Sequence, residues 1–268
     1  MAKYLVGVGF VLGNIFFAHQ AYAQSTATKI IQHGERTMRG NTTQALMVMT
    51  IKRPDYTRTL KIRSWSSGQQ RALVEILSPK KEQGVSSLRV EGNMWNYLPK
   101  VDQTVRVPTS LMLQSWMGSD FTNDDLMKAS SLATDYTHKI LGNETVDGQK
   151  TIKILCTPKP GAPVVWGKIV YWARTRDQLP VQQSFYDEDG KWVRTIQLSV
   201  FKKMDDRIVP TRVEVRTAEN KAHLTTVSYE KLLYDRRIDL EIFRKEHLRQ
   251  NAQKGRVITA GWSLSPLR

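Results

Sequence analysis

The sequence predicts a mainly β protein built on a single, strongly curved antiparallel sheet with a few short helices over it. Runs of alternating apolar and polar residues, each ended by a turn-forming cluster, account for about ten or eleven strands. Helical patterns interrupt these strands at only two points, and no linker or low-complexity tract divides the chain. A sheet of this size must curve, and its concave face then needs a cover.

The first residues have the pattern of a secretory signal peptide. Lys3 precedes an apolar run at residues 4–17, and Ala21-Tyr22-Ala23 has the small-x-small form of a cleavage site. An uncleaved membrane anchor is the alternative, but the run is short for a bilayer core of roughly 30 Å. We therefore predict that residues 1–23 are a signal cleaved near Ala23 and that the protein is exported.

Residues 24–250 are predicted to form one domain, and residues 251–268 are an unassigned basic tail. The only cysteine is Cys156, so neither an internal disulfide nor a cysteine zinc site is expected. No metal, cofactor or catalytic group is predicted.

The formal net charge of +15 predicts anionic neighbours. Nucleic acid is not among them, because the basic residues form neither a recognition helix nor an aromatic-interleaved motif. Anionic lipid head groups, or an acidic surface on a membrane partner, fit an exported chain better. The alternative is that many of these lysines and arginines alternate outward on strands and keep the protein soluble.

A helix is predicted to open the mature chain. Thr28 can cap it, and Gly40-Asn41 supplies its end. One helical stripe carries its apolar contacts: Ile30, Ile31, Gly34 and Met38. The period then changes to two, which predicts strands at residues 44–52, 57–65 and 71–77.

The second half of the chain is predicted to be almost entirely strand and turn. Short clusters of Asp, Asn, Gly and Pro separate its apolar runs. The predicted strands are residues 137–141, 150–156, 164–172, 180–186, 192–201, 209–217 and 223–233.

Residues 92–126 form an unusual segment, and we expect the rest of the chain to serve as its scaffold. Predicted strands at residues 94–98 and 103–107 end at Pro99 and Pro108, because proline removes a backbone donor. The following residues are apolar without strand alternation, which favours a mobile flap that covers something or is itself covered. Thr122 and Asp125 then have the spacing of a capping box, which predicts a short helix.

A curved sheet whose concave face is incompletely filled by short lids encloses an apolar cavity. In an exported protein such a cavity suits an acyl chain, whose burial contributes about 0.8 kcal/mol per CH₂. Methionines at positions 94, 112 and 117 suit a surface that repacks around variable chains. The alternative interpretation is that Trp95, Tyr97, Trp116 and Phe121 are ordinary core residues.

The run YLPKVDQTVRVP, followed closely by MGSDFTNDDL, resembles the signature of the LolA-like outer-membrane lipoprotein-sorting family of Gram-negative bacteria. The resemblance extends from the Thr28 helix to the strand ending near Leu233 and a helix-like run at residues 238–248. It implies a half-open barrel whose helices and loop cover an apolar cavity, with no catalytic residue. It also implies support of the lid helix by Asp120 and Asp125.

The resemblance implies a periplasmic carrier, a monomer that shuttles lipoproteins or lipids toward the outer membrane. Its cargo would be an acylated lipoprotein or phospholipid, loaded from an inner-membrane transporter of the ABC or RND type. Cavity and lid roles fall on nine residues: Trp95, Tyr97, Leu98, Leu111, Met112, Leu113, Trp116, Met117 and Phe121.

Two other classes of function stay open at this point. An accessory or docking subunit of an inner-membrane exporter would explain the basic charge, which a carrier does not need. A hydrolase is disfavoured, because the chain has neither an H-E-x-x-H nor a G-x-S-x-G motif. A cluster of Asp120, Asp124, Asp125 and His138 is the only hydrolytic candidate, and acidic residues that open a helix are explained by capping.

Overall fold

The computed structural model describes residues 8–127 and 131–253. Thirteen strands form one antiparallel sheet, which confirms the predicted fold class. The strands are β1 (Thr42–Lys52), β2 (Thr57–Ser67), β3 (Arg71–Ser78), β4 (Ser86–Val90), β5 (Asn93–Leu98), β6 (Gln103–Arg106), β7 (Tyr136–Val146), β8 (Gln149–Pro158), β9 (Lys168–Arg174), β10 (Pro180–Tyr186), β11 (Trp192–Met204), β12 (Arg207–Thr217) and β13 (Leu224–Tyr234).

The sheet consists of two meanders that meet at its centre. Its order is β6-β5-β4-β3-β2-β1-β13-β12-β11-β10-β9-β8-β7, so β1 pairs with β13 and the edge strands are β6 and β7. Several pairings shift register, for example between Leu46 and Met47 and between Lys61 and Ile62. Such bulges increase strand twist and bending, which curves the sheet into an open half-barrel.

In the part of the chain that the structure describes, four α-helices accompany the sheet: α1 (Val8–Arg39), α2 (Asn123–Met127), α3 (Leu132–Asp135) and α4 (Lys245–Gln253). The predicted start of a helix at Thr28 is wrong, because α1 continues through that position and Thr28 Oγ1 donates to the carbonyl of Gln24 one turn earlier. The predicted end is confirmed. Gly40 has a φ of 61° and its N–H donates to the Arg36 carbonyl, a left-handed cap that glycine adopts without strain.

Helix α1 lies in the concave face of the sheet. Ile30 and Ile31 are buried there in the main core cluster, as their helical stripe predicts, and Ala27 is buried with them. Gly34 permits the close approach, since a Cβ at this position would lie 2.5 Å from the hydroxyl oxygen of Tyr171 on β9. None of the helices in residues 8–127 and 131–253 is long and apolar enough to cross a membrane.

The convex face of β2 to β5 has a cover of its own. A 3₁₀ helix (Leu240–Phe243) and α4 pack Ile242, Phe243 and Leu248 against this side of the sheet. The helix-like pattern at residues 238–248 is thus confirmed, although it forms two elements. Residues 251–253 of the predicted tail belong to α4, and residues 254–268 lie outside the described part of the chain.

The described residues contain thirteen strands, more than the estimate of about ten or eleven, and one of them lies outside the twelve ranges assigned from the sequence. Strand β4 was missed because it has only five residues and begins Ser86-Ser87, which lacks an apolar alternation. Both serines are nevertheless buried, because the concave and convex faces of β4 are each covered. Strand β7 extends to Val146, five residues beyond the predicted end, along an exposed edge.

The connection from β6 to β7 joins the two edges of the sheet. We call its residues 107–127 the crossing segment, which includes a 3₁₀ turn (Thr109–Leu111) and α2. Because the edge strands are the farthest apart in the sheet order, the chain must pass over the open side of the half-barrel to join them. The sheet topology therefore explains why residues 92–126 are rich in large apolar side chains.

Candidate ligand-binding cavity

The crossing segment is anchored to the sheet by Trp116. This side chain is 3% exposed and packs in the main core cluster on the concave side. Its Nε1 donates to Ser87 Oγ at 2.9 Å, so the indole satisfies its only donor inside the core. The flap that the sequence predicted to be mobile is thus held by its largest residue.

A buried ion pair anchors the next residues. Asp120 Oδ2 lies 3.1 Å from Arg53 Nη1, and both side chains are at most 8% exposed. The hydroxyl of Thr225 on β13 donates to the same carboxylate at 2.6 Å, and Arg53 Nη2 donates to the Gly118 carbonyl at 2.7 Å. Asp120 therefore fastens the segment to the central strands, a wider role than the support of α2 that the sequence predicts.

A second buried ion pair fastens α2 to the opposite half of the sheet. Arg194 on β11 donates from both terminal nitrogens to Asp125, at 2.6 and 2.7 Å, and the side chains are 2% and 5% exposed. The Arg194 guanidinium also stacks over the rings of Trp166 and Phe185, at 4.8 and 4.7 Å. This arrangement orients the fork of the arginine toward the helix.

The capping box at α2 is confirmed. Asp125 Oδ2 accepts from the Thr122 N–H at 2.8 Å, and the Asp125 N–H donates to Thr122 Oγ1 at 3.2 Å. One carboxylate thus starts the helix and also accepts the arginine. The helix support predicted for Asp125 is present in the structure, together with a distant partner that the sequence did not indicate.

Helix α3 is tied to α1 by Glu35. The carboxylate of Glu35 accepts from Ser131 Oγ at 2.5 Å and from the Leu132 N–H at 2.7 Å. His138 completes this contact, since its Nε2 donates to the Leu132 carbonyl and its Nδ1 lies 2.8 Å from Thr28 Oγ1. Burial lowers the pKa of His138, although the bond to the Leu132 carbonyl opposes the shift. This histidine thus links β7 to α1.

A cavity of about 430 Å³ remains between α1, α2 and the concave face of the sheet. Much of its wall is apolar, formed by Met38 of α1 and by side chains that face inward from both meanders: Met47, Met49, Val74, Ile169, Phe185, Ile196, Leu198, Val213 and Val227. The cavity exists because inward positions at one end of β1 to β3 carry small residues: Ala45, Ser64, Ser66 and Ala72.

Of the nine predicted site residues, Phe121 lines this cavity. Met112 and Met117 pack against the main core cluster beside it, and Trp116 is buried within the cluster. Leu111 is half-buried, whereas Leu113 on the same segment is 51% exposed. The segment therefore presents one apolar side to the sheet and another to solvent.

The other three predicted residues lie on β5 and do not line the cavity. Met94 faces the concave core, so Trp95 and Tyr97, one and three positions on, face the convex side. Tyr97 is buried beneath α4, Trp95 lies beside Lys245, and Leu98 is 39% exposed. Their expected place at the cavity mouth is corrected by these positions, and a role in acyl binding stays a prediction.

Several residues at the cavity were missed by the sequence analysis. Trp166, Arg89 and Arg39 line it, and Arg194 contacts the rings of Trp166 and Phe185 in the lining. The available signal was a basic residue at an inward position of a strand, as in the alternation Arg194, Ile196, Leu198. Among the described residues, no group of three or more His, Cys, Asp or Glu side chains is placed to hold a metal ion.

An open, curved antiparallel sheet with a helix and a crossing segment over an apolar cavity defines a LolA-like half-barrel. The chain is similar to a DUF1329 family protein from Desulfovibrio piger, with 22% identity, a TM-score of 0.77, and coverage of 84% of this chain and 99% of that one. It is also similar to a domain described as an outer membrane lipoprotein-sorting protein from Vibrio parahaemolyticus (20% identity, TM-score 0.73, coverage 84% and 99%). A LolA superfamily protein from Nitrosomonas europaea gives 21% identity, a TM-score of 0.69 and coverage of 82% and 98%.

These identities are low, so the likeness establishes the fold, and it confirms the LolA-like fold that the sequence predicts. No protein of curated function matches the sequence. A family model described as an uncharacterized protein matches residues 68–250, more than half of the chain. The chain belongs to this family.

Proposed function

We propose that this protein binds an acyl chain of a lipid or lipoprotein in the cavity and carries it through the periplasm toward the outer membrane. The observation that carries the proposal is the apolar space of about 430 Å³ between α1 and the concave face of the sheet. Small-molecule sites in proteins range from about 300 to 1,000 Å³ and are mostly apolar. The cavity has the size and the lining of such a site.

Burial of methylene groups supplies the free energy of binding in this proposal. Each buried CH₂ contributes about 0.8 kcal/mol, and no directional contact is needed along the chain. Met38, Met47 and Met49 line the cavity, and their unbranched side chains adapt to chains of different shape. A wall of this kind suits a carrier whose cargo varies.

Two of the similar structures support a carrier in their descriptions, one as a lipoprotein-sorting domain and the other as a LolA superfamily protein. The signal-like pattern of residues 1–23 supports export to the periplasm. In this proposal an inner-membrane transporter loads the protein, which acts as a monomer without enzymatic activity.

The test uses two matched substitutions on the crossing segment. Phe121→Asp places a charge in the cavity, whereas Leu113→Asp places the same charge on an exposed side chain. Purified protein without residues 1–23 is extracted and its bound lipids are measured by mass spectrometry. We expect bound acyl lipid in the wild type and in Leu113→Asp, and its loss in Phe121→Asp.

A second variant guards against misfolding of Phe121→Asp. Ala45→Phe fills the space beside β1 with an apolar ring, so it removes volume without burying a charge. It should lower the amount of bound lipid while thermal unfolding stays cooperative. The proposal is refuted if the wild type binds no amphiphile, or if filling the cavity leaves bound lipid unchanged.

A further inference from the structure

Four tyrosine side chains line the cavity, and their hydroxyl groups have no hydrogen-bond partner in the described part of the chain. They come from β7, β9 and β13: Tyr136, Tyr171, Tyr229 and Tyr234. The Tyr234 hydroxyl is buried without a partner, and the other three make no hydrogen bond within residues 8–127 and 131–253. On the convex side, by contrast, the buried Tyr97 donates to Asp102 at 2.9 Å. The unpaired hydroxyls are therefore a feature of the cavity.

These hydroxyls lie in two parts of the cavity wall. Tyr171, on β9, reaches α1, since a Cβ at Gly34 would lie 2.5 Å from its hydroxyl oxygen, and Gly34 also lines the cavity. Tyr229 packs in one apolar cluster with Tyr234 on the central strand β13. Three strands lie between β9 and β13 in the sheet, so the wall offers hydroxyl groups on both sides of the cavity.

Each hydroxyl is a neutral hydrogen-bond donor. Burial raises the pKa of Tyr136, Tyr171 and Tyr229, so these side chains keep their proton at physiological pH. Most buried polar groups in proteins are hydrogen-bonded, because an unpaired group gives up the bond that it would make in water. A ligand that offers acceptors and brings no further donors would satisfy these hydroxyls.

The charged groups of the same wall compensate one another. Five charged residues line the cavity in the described part of the chain: Glu35, Asp124, Asp125, Arg39 and Arg89. Arg194 pairs with Asp125, so these three acidic and three basic side chains have no net formal charge. A balanced set gives no excess attraction for an ionic head group, and burial of an uncompensated ion is unfavourable. An uncharged acceptor therefore fits this wall better than an ion.

We propose that the ligand of this cavity carries ester-linked acyl chains, and that Tyr171 and Tyr229 donate hydrogen bonds to the ester carbonyl oxygens. The inference rests on the proposed function and specifies its ligand class. An ester carbonyl is uncharged, accepts hydrogen bonds and donates none, so it matches the unpaired hydroxyls. It also adjoins the first methylene group of the acyl chain, which then extends along the apolar wall formed by residues such as Met49 and Leu198.

The test compares two uncharged probes that share a glycerol head group and a chain of the same length. Glycerol monolaurate has an ester, and glycerol monododecyl ether lacks the carbonyl oxygen. Both are titrated by calorimetry, below the concentrations at which they aggregate, into the protein without residues 1–23. The main variant is Tyr171→Phe/Tyr229→Phe, which removes two hydroxyls and keeps both rings. The control is Tyr186→Phe on β10, outside the cavity lining, where Lys168 covers the ring.

The wild type and Tyr186→Phe should bind the ester about tenfold more tightly than the ether, the ratio expected for one hydrogen bond. The double variant should lose most of this preference and keep its affinity for the ether. Its unfolding midpoint in urea should be unchanged or higher, because unpaired buried hydroxyls have been removed. The two single variants show which hydroxyl holds the carbonyl.

Equal affinities of the wild type for ester and ether, the result expected if ordered water satisfies the hydroxyls, would overturn the inference and leave the acyl carrier intact. A preference that persists in the double variant would also overturn it. Displacement of the bound ester by a short-chain phosphatidylglycerol or by a diacylglyceryl-cysteine peptide identifies the source as a phospholipid or a lipoprotein, and displacement by neither contradicts the inference. Failure of both glycerol probes to bind the wild type would refute the proposed function itself.

Discussion

The ion pair between Asp125 and Arg194 should control how often the crossing segment leaves the sheet. Asp125→Asn keeps the shape of the side chain and an oxygen that can accept from the Thr122 N–H, so the capping role is largely retained. The substitution removes the negative charge opposite a guanidinium that is 2% exposed. Its main effect is therefore on the ion pair and not on the start of α2.

The size of the expected free-energy change follows from the burial of the Asp125–Arg194 ion pair. Removal of one partner from a buried ion pair costs about 3–5 kcal/mol, because the remaining charge stays buried without compensation. The rings of Trp166 and Phe185 still face Arg194 and retain part of the stabilisation. We therefore expect a loss of about 3 kcal/mol in the free energy that holds the segment closed, the lower end of that range.

Hydrogen exchange measured by mass spectrometry separates local from global opening. In Asp125→Asn, amides in residues 112–127 should exchange about a hundredfold faster or more, because 1.4 kcal/mol corresponds to a factor of ten. Peptides from β12 and β13 should change less. Asp206→Asn is the matched control, since its ion pair with Arg207 lies at the surface with the aspartate side chain 65% exposed.

The reasoning fails if exchange in residues 112–127 is as slow in Asp125→Asn as in Asp206→Asn. The double variant Asp125→Asn/Arg194→Met provides a second check, because it keeps an oxygen for the Thr122 N–H and removes both charges. Without a buried charge left uncompensated, this variant should protect the segment better than Asp125→Asn alone. Rapid exchange in the double variant would show that the charges are needed for more than mutual compensation.

Three further predictions concern the core and α1. Trp116→Phe should lower the free energy of unfolding in urea by about 1–3 kcal/mol, because the donor to Ser87 is lost and a smaller ring is left; an unchanged midpoint would contradict the anchoring role. Gly34→Ala should destabilise by about 1–2 kcal/mol through contact with the Tyr171 hydroxyl, and Tyr171→Phe in the same chain should restore part of the loss. The lowered pKa of His138 means that the unfolded chain binds more protons below about pH 6.5, so stability should fall as the pH drops from 7 to 5. His138→Asn should reduce that slope, which for one group cannot exceed about 1.4 kcal/mol per pH unit, and urea midpoints measured across this range decide the matter.

Local signals in the sequence were sufficient for many elements. The turn after α1 follows from Gly40, which accepts a left-handed conformation, and the start of α2 follows from the spacing of Thr122 and Asp125. Strand β10 was predicted at its observed bounds because proline and a polar turn mark its ends. Each of these signals lies within a few residues of the structure that it specifies.

The candidate site was predicted less well, because its geometry depends on contacts between distant parts of the chain. Alternation along β5 shows that Met94 and Tyr97 face opposite sides of the sheet. It does not show which side is concave, since that depends on whether α1 or α4 covers it. For this reason Trp95 and Tyr97 were expected at the cavity and lie beneath α4.

The sequence by itself determined that the chain forms a large antiparallel sheet, that residues 92–126 are special, and that Asp125 caps a helix. Periodicity, turn chemistry and capping are local, and they act before the chain is compact. Only the tertiary structure decided that this segment joins the two edges of the sheet and that Arg194, 69 residues from Asp125, holds it there. It also decided which small inward residues leave a cavity and that Arg39 and Arg89 both line it, because those positions are set by sheet curvature and strand order.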